Sequence, residues 1–299
     1  MKNDILKIDF LNFWKNFNKY DNYFLHLLKQ NYKIKVDNKD PDLIFDTTSF
    51  TNHKLEVPKK NSIKKIFFSG EPDYEIDSDY DAIIASVQKS KNIDFIYMPL
   101  FVTYIDWFNI GVDKFRDPSY LVLRKNLIKS KKNIKPNSKD CSMLASKDLG
   151  IRKKTFIELN NFIQIDSGGL LENNIKNIIK GRGDQKYKLK FLKKYKFNLC
   201  FENSKVDNYI SEKILHSIAS NSIPIYWGTE YVKTIFNENS FVYVDNFNST
   251  FELKEYILNL LNDENLYKLK LSEPWFKNNI IPPELEPSNY LNFIEKNIK

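Results

Sequence analysis

Apolar positions in the first half of the chain fall in short runs separated by polar stretches. ILKIDFLNF (5–13), YKIKV (32–36), DLIFD (42–46), KKIFFSG (64–70), DAIIAS (81–86) and DFIYMPL (94–100) carry the β-branched and aromatic side chains of strands. Residues 16–31 show helical spacing, with Phe24, Leu27 and Leu28 on one face. Strands interleaved with helical stretches predict a largely parallel α/β sheet.

Between residues 109 and 140 the pattern breaks. NLIKSKKNIKPNSKD is basic and has no apolar period, so it reads as an exposed connection between domains. The pattern then restarts. CSMLAS, FNLCFE, IPIYWG and SFVYVD read as strands. IRKKTFIELNNF reads as a helix with Phe156, Leu159 and Phe162 on its apolar side, and further helices are expected near 211–220 and 251–262. The expectation is two α/β domains, 1–138 and 139–299, with the C-terminal helices in the second. A cleft between them would lie outside the carboxyl ends of the strands, where such sheets bind ligands.

Composition narrows the classes. The chain has 299 residues, 42% of them hydrophobic, which is too apolar for a disordered protein. Its net charge of +8, from 46 basic and 38 acidic residues, suits an anionic partner. A/T-rich coding accounts for much of the same excess of Lys. Two cysteines, Cys141 and Cys200, imply no disulfide framework and a reducing compartment. No apolar run reaches the roughly 18 residues of a membrane span, and the start lacks a signal-peptide core. A cytoplasmic location is therefore expected, with at most peripheral membrane contact. The tail NYLNFIEKNIK places Tyr290, Phe293, Ile294 and Ile298 on one helical face, which fits packing on the body better than a membrane anchor.

Between the strand YKFNLC and the helix ILHSIAS lies FENSKVDNYISEK, residues 201–213. A plain connector would use Gly, Pro and Ser, whereas this one carries Glu202, Asn203, Tyr209, Glu212 and Lys213. Lys213 in the first helical turn opposes the helix dipole, at about 0.3–1 kcal/mol. An anion bound there would reverse that sign and gain the free N–H groups as well. Glu212 can accept from sugar hydroxyls, Tyr209 can stack on a ring, and Asn203 offers a donor and an acceptor. A capping turn with Ser211 as N-cap and solvated Glu212 and Lys213 satisfies the same spacing.

The longer string YKFNLCFENSKVDNYISEKILHSIASNSIPIYWGTEYV, residues 195–232, resembles the donor-domain signature of the GDP-fucose-dependent α-1,3/4-fucosyltransferases of glycosyltransferase family 10. Phe201-Glu202-Asn203, Tyr209, Glu212-Lys213, Pro224 and Gly228 fall in register with it, and weaker similarity runs through KKIFFSGEP, YDAIIA, YMPLF and KKTFIELNNFIQIDSGG. The resemblance is to the soluble microbial type. It implies a GT-B fold of two Rossmann-like domains, with the donor held mainly by the second. The implied activity is inverting transfer of L-fucose from GDP-fucose to a hydroxyl, such as O3 of GlcNAc in an N-acetyllactosamine-type glycan. GDP-fucose and a glycan are the implied partners, with no nucleic acid and no required cofactor or divalent metal. A related transferase using another GDP-sugar is an alternative, as is a non-catalytic basic protein that binds glycan or nucleic acid.

The resemblance makes Glu71, in Ser69-Gly70-Glu71, the candidate general base, where an ordinary turn would also place a Glu. Arg152 matches the family's helix-opening Arg and would bind the diphosphate with Lys213, although a solvated basic helix start accounts for it equally. Asn203, Tyr209 and Glu212 carry over as donor contacts. Gly70, Glu202 and Arg182 (in GRGD, 181–184) are further candidates, Glu202 as a structural group or one turned toward the sugar. DSDYD (77–81) holds an Asp-x-Asp pair of the kind that binds metal in another transferase fold, but pairs at that spacing are common and no metal site is assigned. His26, His53 and His216 lack metal-ligand or triad spacing, so none is given a chemical role.

Overall fold

A computed structural model of the protein describes residues 5–47, 55–56, 58, 62–76, 79–111, 116–128, 135–149, 151–179 and 185–299. Asp77, the GRGD segment with Arg182, His53 and most of the Lys run of the expected connection lie outside the described residues. The chain forms two compact units, residues 1–119 with 283–299, and residues 120–282.

The first unit is built on a six-stranded parallel sheet: β1 (Ile5–Leu11), β2 (Lys33–Val36), β3 (Leu43–Thr47), β4 (Lys64–Ser69), β5 (Ala82–Ala85) and β6 (Asp94–Tyr97), in the order β2-β1-β3-β4-β5-β6. All six match the apolar runs of the sequence. β3, β4 and β5 lie in the interior of the sheet and are almost wholly buried, which explains their unbroken apolar character. The expected helix over 16–31 is shorter: α1 spans Tyr23–Leu28 and is capped by the Asn22 side chain, which accepts from the Leu25 N–H. Asn12 and Asn16 adopt left-handed φ values of 59° and 69°, which a helix cannot contain, and the residues before α1 fold as turns. Phe13 and Phe17 stack there at 4.2 Å.

The second unit holds a five-stranded parallel sheet. After the two-residue strands β7 (Ile105–Asp106) and β8 (Val122–Leu123), which belong to neither large sheet, come β9 (Lys139–Met143), β10 (Ile165–Ser167), β11 (Tyr195–Phe201), β12 (Ile223–Trp227) and β13 (Val242–Tyr243), in the order β10-β9-β11-β12-β13. The helices are α2 (Ile151–Asn160), α3 (Gln185–Leu192), α4 (Glu212–Ala219), α5 (Val232–Ile235), α6 (Thr250–Asn262) and α7 (Glu264–Ser272). α4 packs on β11, β12 and α3. Phe156 and Leu159 of α2 are buried as expected, but Phe162 is 59% exposed, because the helix ends at Asn160 and the helical phase is lost. SFVYVD yields only the two residues of β13 as strand.

The boundaries differ from the sequence reading in two places. The second unit begins at Tyr120 rather than after 138, since Leu121, Val122 and Leu127 are buried and are not part of a solvated linker. The C-terminal helix α8 (Pro287–Ile298) belongs to the first unit, where it packs on α1 and buries Tyr290, Leu291 and Ile294. Among the described residues no helix is long and apolar enough to cross a membrane.

Because Ile294 is fully buried in α8, Ile294→Ala should destabilise the protein by about 2–5 kcal/mol. Urea unfolding followed by fluorescence reads this directly. Unchanged stability would mean that the apolar face of the tail serves something other than the first unit's core.

Candidate functional site

The carboxyl end of β11 gathers the charged residues that the sequence singled out in the second half. The β11 ladder continues one residue beyond the strand, with the Glu202 N–H donating to the Trp227 carbonyl at 2.9 Å. This draws Glu202 into the sheet, and its side chain has no solvent exposure. A buried carboxylate needs partners. Oε1 accepts from the Ser211 N–H at 2.8 Å, and Oε2 accepts from the Ser211 hydroxyl at 2.6 Å and from Lys213 Nζ at 3.2 Å. The Tyr226 hydroxyl lies 3.4 Å from Oε1. Glu202 is thus the internal anchor of the loop, and of its two earlier readings the structural one describes it.

Ser211 caps α4 by accepting from the Lys213 N–H, and its hydroxyl also accepts from Lys213 Nζ at 2.9 Å. The ammonium is therefore pinned over the helix start, with about a fifth of its side chain exposed. Burial works against its charge, but Glu202 and then Glu212 more than offset that, and its pKa is raised. Glu212 is paired with Lys188 of α3 at 3.1 Å. Burial would raise the Glu212 carboxyl, yet Lys188 and then Lys213 hold it well below the usual carboxylate range. Neither Glu212 nor Lys213 is the freely solvated charge of a plain capping turn.

Arg152, in the first turn of α2, reaches the same strand end. Its Nη2 donates to the Phe201 carbonyl at 2.7 Å and to Asn203 Oδ1 at 2.8 Å, and Nη1 donates to the Lys147 carbonyl at 3.3 Å. It is only 5% exposed, so it is not part of a solvated basic face. Burial lowers its pKa, opposed by Glu202. Lys154, by contrast, sits in water, its side chain 72% exposed. Asn203 is exposed at the strand end.

Tyr209 departs from expectation. It is fully buried beside Ile210, because the loop folds back against the sheet before Ser211, and it offers no ring face for stacking. Gly70 is buried, and a Cβ there would meet Leu100 Cδ1 at 2.4 Å. Glu71 is half-buried at the carboxyl end of β4, in a tight turn: its N–H donates to Ser69 Oγ, which donates back to the Glu71 carbonyl. Asp81 is occupied at the start of β4, accepting from Lys64 Nζ and the Lys65 N–H. Among the described residues no group of three or more His, Cys, Asp and Glu is arranged for a metal. Burial, followed by Lys188, holds His216 well below its usual pKa, so it stays neutral.

Sequence reasoning missed two supports of this site. Lys188 lies 24 residues before its partner Glu212, a separation that no local pattern reports. The second is a buried polar chain: Ser142 Oγ donates to Asn198 Oδ1, Asn198 Nδ2 donates to Ser217 Oγ, and Ser217 Oγ donates to the Lys213 carbonyl. Its signal was visible as Asn198, a lone amide inside the apolar strand YKFNLCF. Gly228, already in register with the family signature, is a further support: a Cβ there would stand 2.6 Å from the Tyr226 hydroxyl and 2.9 Å from Glu202 Cγ.

Comparison with known proteins gives this geometry its context. A model described as glycosyltransferase family 10 (fucosyltransferase) C-term matches residues 130–277, and one described as alpha-(1,3)-fucosyltransferase FucT N-terminal domain matches residues 8–104. Alpha-(1,3)-fucosyltransferase FucT of Helicobacter pylori is 29% identical over 287 residues, covering 88% of this chain and 58% of that protein. GDP-fucose protein O-fucosyltransferase 3 of Homo sapiens is 27% identical over 177 residues, covering 58% of this chain and 36% of its own length. The chain thus spans little more than half, or less, of these relatives. A crystal structure of an alpha1,3-fucosyltransferase with GDP-fucose superposes with a TM-score of 0.74 at 24% identity, covering 100% of this chain and 92% of that one. That likeness is one of fold, and it places the two α/β units in the GT-B class.

Two outcomes follow from the site geometry. Gly228→Ala should displace Glu202, with a loss of about 1–3 kcal/mol from overpacking. Thermal unfolding measures this, and a wild-type melting temperature would mean that the loop yields freely. The folded pKa of Glu212 lies below its unfolded one, so the stability it contributes is present above the usual carboxylate range and is lost as pH falls below it. Glu212→Gln should therefore flatten the acid limb of the stability–pH curve, as read by melting temperature between about pH 6 and pH 3.

Proposed function

The chain belongs to glycosyltransferase family 10, and on that premise we propose that it transfers L-fucose from GDP-fucose to a glycan hydroxyl with inversion. The acceptor we assign is O3 of GlcNAc in an N-acetyllactosamine-type unit. The observation that carries the reading is the convergence of two cations, Arg152 and Lys213, on one strand end beside the start of α4. Helix N–H groups and guanidinium and ammonium charges together make a diphosphate site.

In this reading the acceptor oxygen attacks the anomeric carbon of fucose as the bond to the diphosphate breaks. The transition state has oxocarbenium character, and negative charge grows on the departing GDP. Arg152 and Lys213 meet that charge, already oriented by Glu202 and Asn203 and so without reorganisation during the step. Glu212, kept ionised by Lys188, accepts from donor hydroxyls, and Asn203 supplies a further polar contact. Tyr209 belongs to the core and is assigned no donor contact. Glu71 is the proposed base that takes the acceptor proton, and no resident metal enters the step.

The direct test is an array of glycan acceptors with GDP-fucose, read by mass spectrometry, together with calorimetry of GDP and UDP. Fucosylated N-acetyllactosamine and GDP binding well above UDP are expected. UDP binding without GDP binding would remove the donor assignment, and transfer to peptides alone would move the acceptor toward that named for the human relative.

Arg152→Ala and Lys213→Ala should each lower kcat/KM at least about tenfold, the scale of one charge-assisted contact. Glu71→Gln should lose roughly 10²- to 10⁴-fold in transfer rate with little change in GDP affinity. The exposed Glu75, in the same loop, is the control and should be nearly silent as Glu75→Gln. Full activity of Glu71→Gln would exclude it as the base.

A further inference from the structure

Helix α3 turns a basic face to solvent. Residues 186–196, which hold most of α3 and the start of β11, carry six lysines and no Asp or Glu. Lys186, Lys190 and Lys193 follow one another at i, i+4 and i+7, within about 60° of each other on a helix of 3.6 residues per turn. Lys193 keeps that phase although it stands just past the end of α3, because its N–H donates to the Leu189 carbonyl at 3.0 Å. All three are exposed, as is the adjacent Lys194. Lysines on other helices and strands are neutralised locally: Lys154 by Glu158, Lys268 by Glu264 and Lys35 by Asp37. Among the described residues the one ion pair of α3 is that of Lys188 with Glu212, on the opposite side of the helix.

Apolar side chains stand beside these lysines. Tyr187 is 59% exposed and lies in the same helical row as Phe191, one turn on. Phe191 is covered by the strap 175–179 that precedes the helix: Ile175 and Ile179 pack on the cluster of Phe191, Leu192 and Tyr195. Phe191 and Ile179 both close on Gly168, where a Cβ would stand 3.0 Å from one and 3.1 Å from the other. The strap therefore lies along the side of α3 that carries Tyr187. The Ile179 N–H fastens it by donating to the Gly168 carbonyl at 2.8 Å. Ile178, next in the strap, is 52% exposed. A firmly held surface thus presents lysines with an aromatic ring and a branched alkyl chain beside them.

That combination selects the partner. Unpaired positive charge on one face complements a layer of anionic headgroups, and each lysine held near such a layer strengthens binding roughly fivefold. Tyrosine and isoleucine settle at the boundary between headgroups and acyl chains, while lysine stems carry their charge back out to the phosphates. A nucleic acid would use the lysines and leave Ile178 without a counterpart. We propose that the outer face of α3, with Tyr187 and Ile178, docks the protein on an anionic lipid bilayer. The contact is peripheral, since α3 has eight residues, too few to cross the hydrocarbon. It does not depend on the donor or the acceptor assigned above.

The test is flotation of the full chain with vesicles of phosphatidylglycerol and phosphatidylcholine in equal parts, against vesicles of phosphatidylcholine alone, at about 0.1 M salt. Binding to the anionic vesicles should be at least tenfold stronger, and should fall steeply as salt rises. Lys190→Gln with Lys193→Gln should weaken it about tenfold or more. Lys35→Gln with Lys268→Gln removes the same net charge from elsewhere and should leave it near wild type. Tyr187→Ser should weaken vesicle binding without lowering the melting temperature. All of these side chains are at the surface, and GDP affinity should be unchanged in every variant. No binding to anionic vesicles, or equal losses in the two lysine pairs, would overturn the proposal. So would displacement of the vesicles by single-stranded RNA at equal phosphate concentration, which would make nucleic acid the partner. Vesicle binding lost with GDP binding intact would remove this inference alone, and the reverse would remove only the donor assignment.

Discussion

A carboxylate with no exposure to water organises the second unit. Glu202 stands one residue beyond the end of β11 and holds the Ser211 amide, the Ser211 hydroxyl and the Lys213 ammonium. Removing a carboxylate from water is costly, and only multiple charge-assisted bonds in good geometry offset that. The loop from 203 to 211 must therefore close back on its own start. That closure sets Ser211 as the cap of α4, and the cap fixes where the helix N–H groups and Lys213 point.

The same constraint extends outward through neighbours that tolerate little change. The Tyr226 hydroxyl approaches Glu202 under a residue that must lack a side chain, Gly228, whose carbonyl accepts from Tyr243 at 3.0 Å. On the far side, the chain from Ser142 through Asn198 and Ser217 fastens the first turn of α4 to the sheet. Arg152 enters from α2 and shares the strand end through the Phe201 carbonyl. Two cations are thus held close to one another by bonds to fixed partners rather than by flexible surface pairing. That arrangement suits a ligand carrying concentrated negative charge, and it limits the reorganisation needed when such charge appears.

Much of this was legible in the sequence, for identifiable reasons. Strands buried on both faces write themselves as unbroken apolar runs, as β3, β4 and β5 do, while the half-exposed β1, β2 and β6 are found from their β-branched and aromatic stretches. Helices fared worse, because turns built on left-handed Asn12 and Asn16 still carry aromatics at helix-like spacing. The candidate residues of 201–213 were found as a group, since charge on a strand-to-helix turn is conspicuous. Their division of labour was not, because it depends on burial: Tyr209 and Glu202 are both fully enclosed, although one reads as a stacking ring and the other as either a structural group or one turned toward the sugar. Lys188 meets Glu212 across 24 residues of sequence, a proximity that only the fold creates.

On the proposed function, Glu202 acts on the bound diphosphate through Lys213. A double-mutant cycle on GDP affinity tests it most directly, with calorimetric titration of wild type, Glu202→Gln, Lys213→Met and the double variant. Each single change should weaken GDP binding, and the double variant should be little weaker than Lys213→Met alone. The coupling should then fall within the roughly 0.5–3 kcal/mol typical of residues in one network. Additive losses, or GDP affinity untouched by Glu202→Gln, would mean that Glu202 does not act through Lys213.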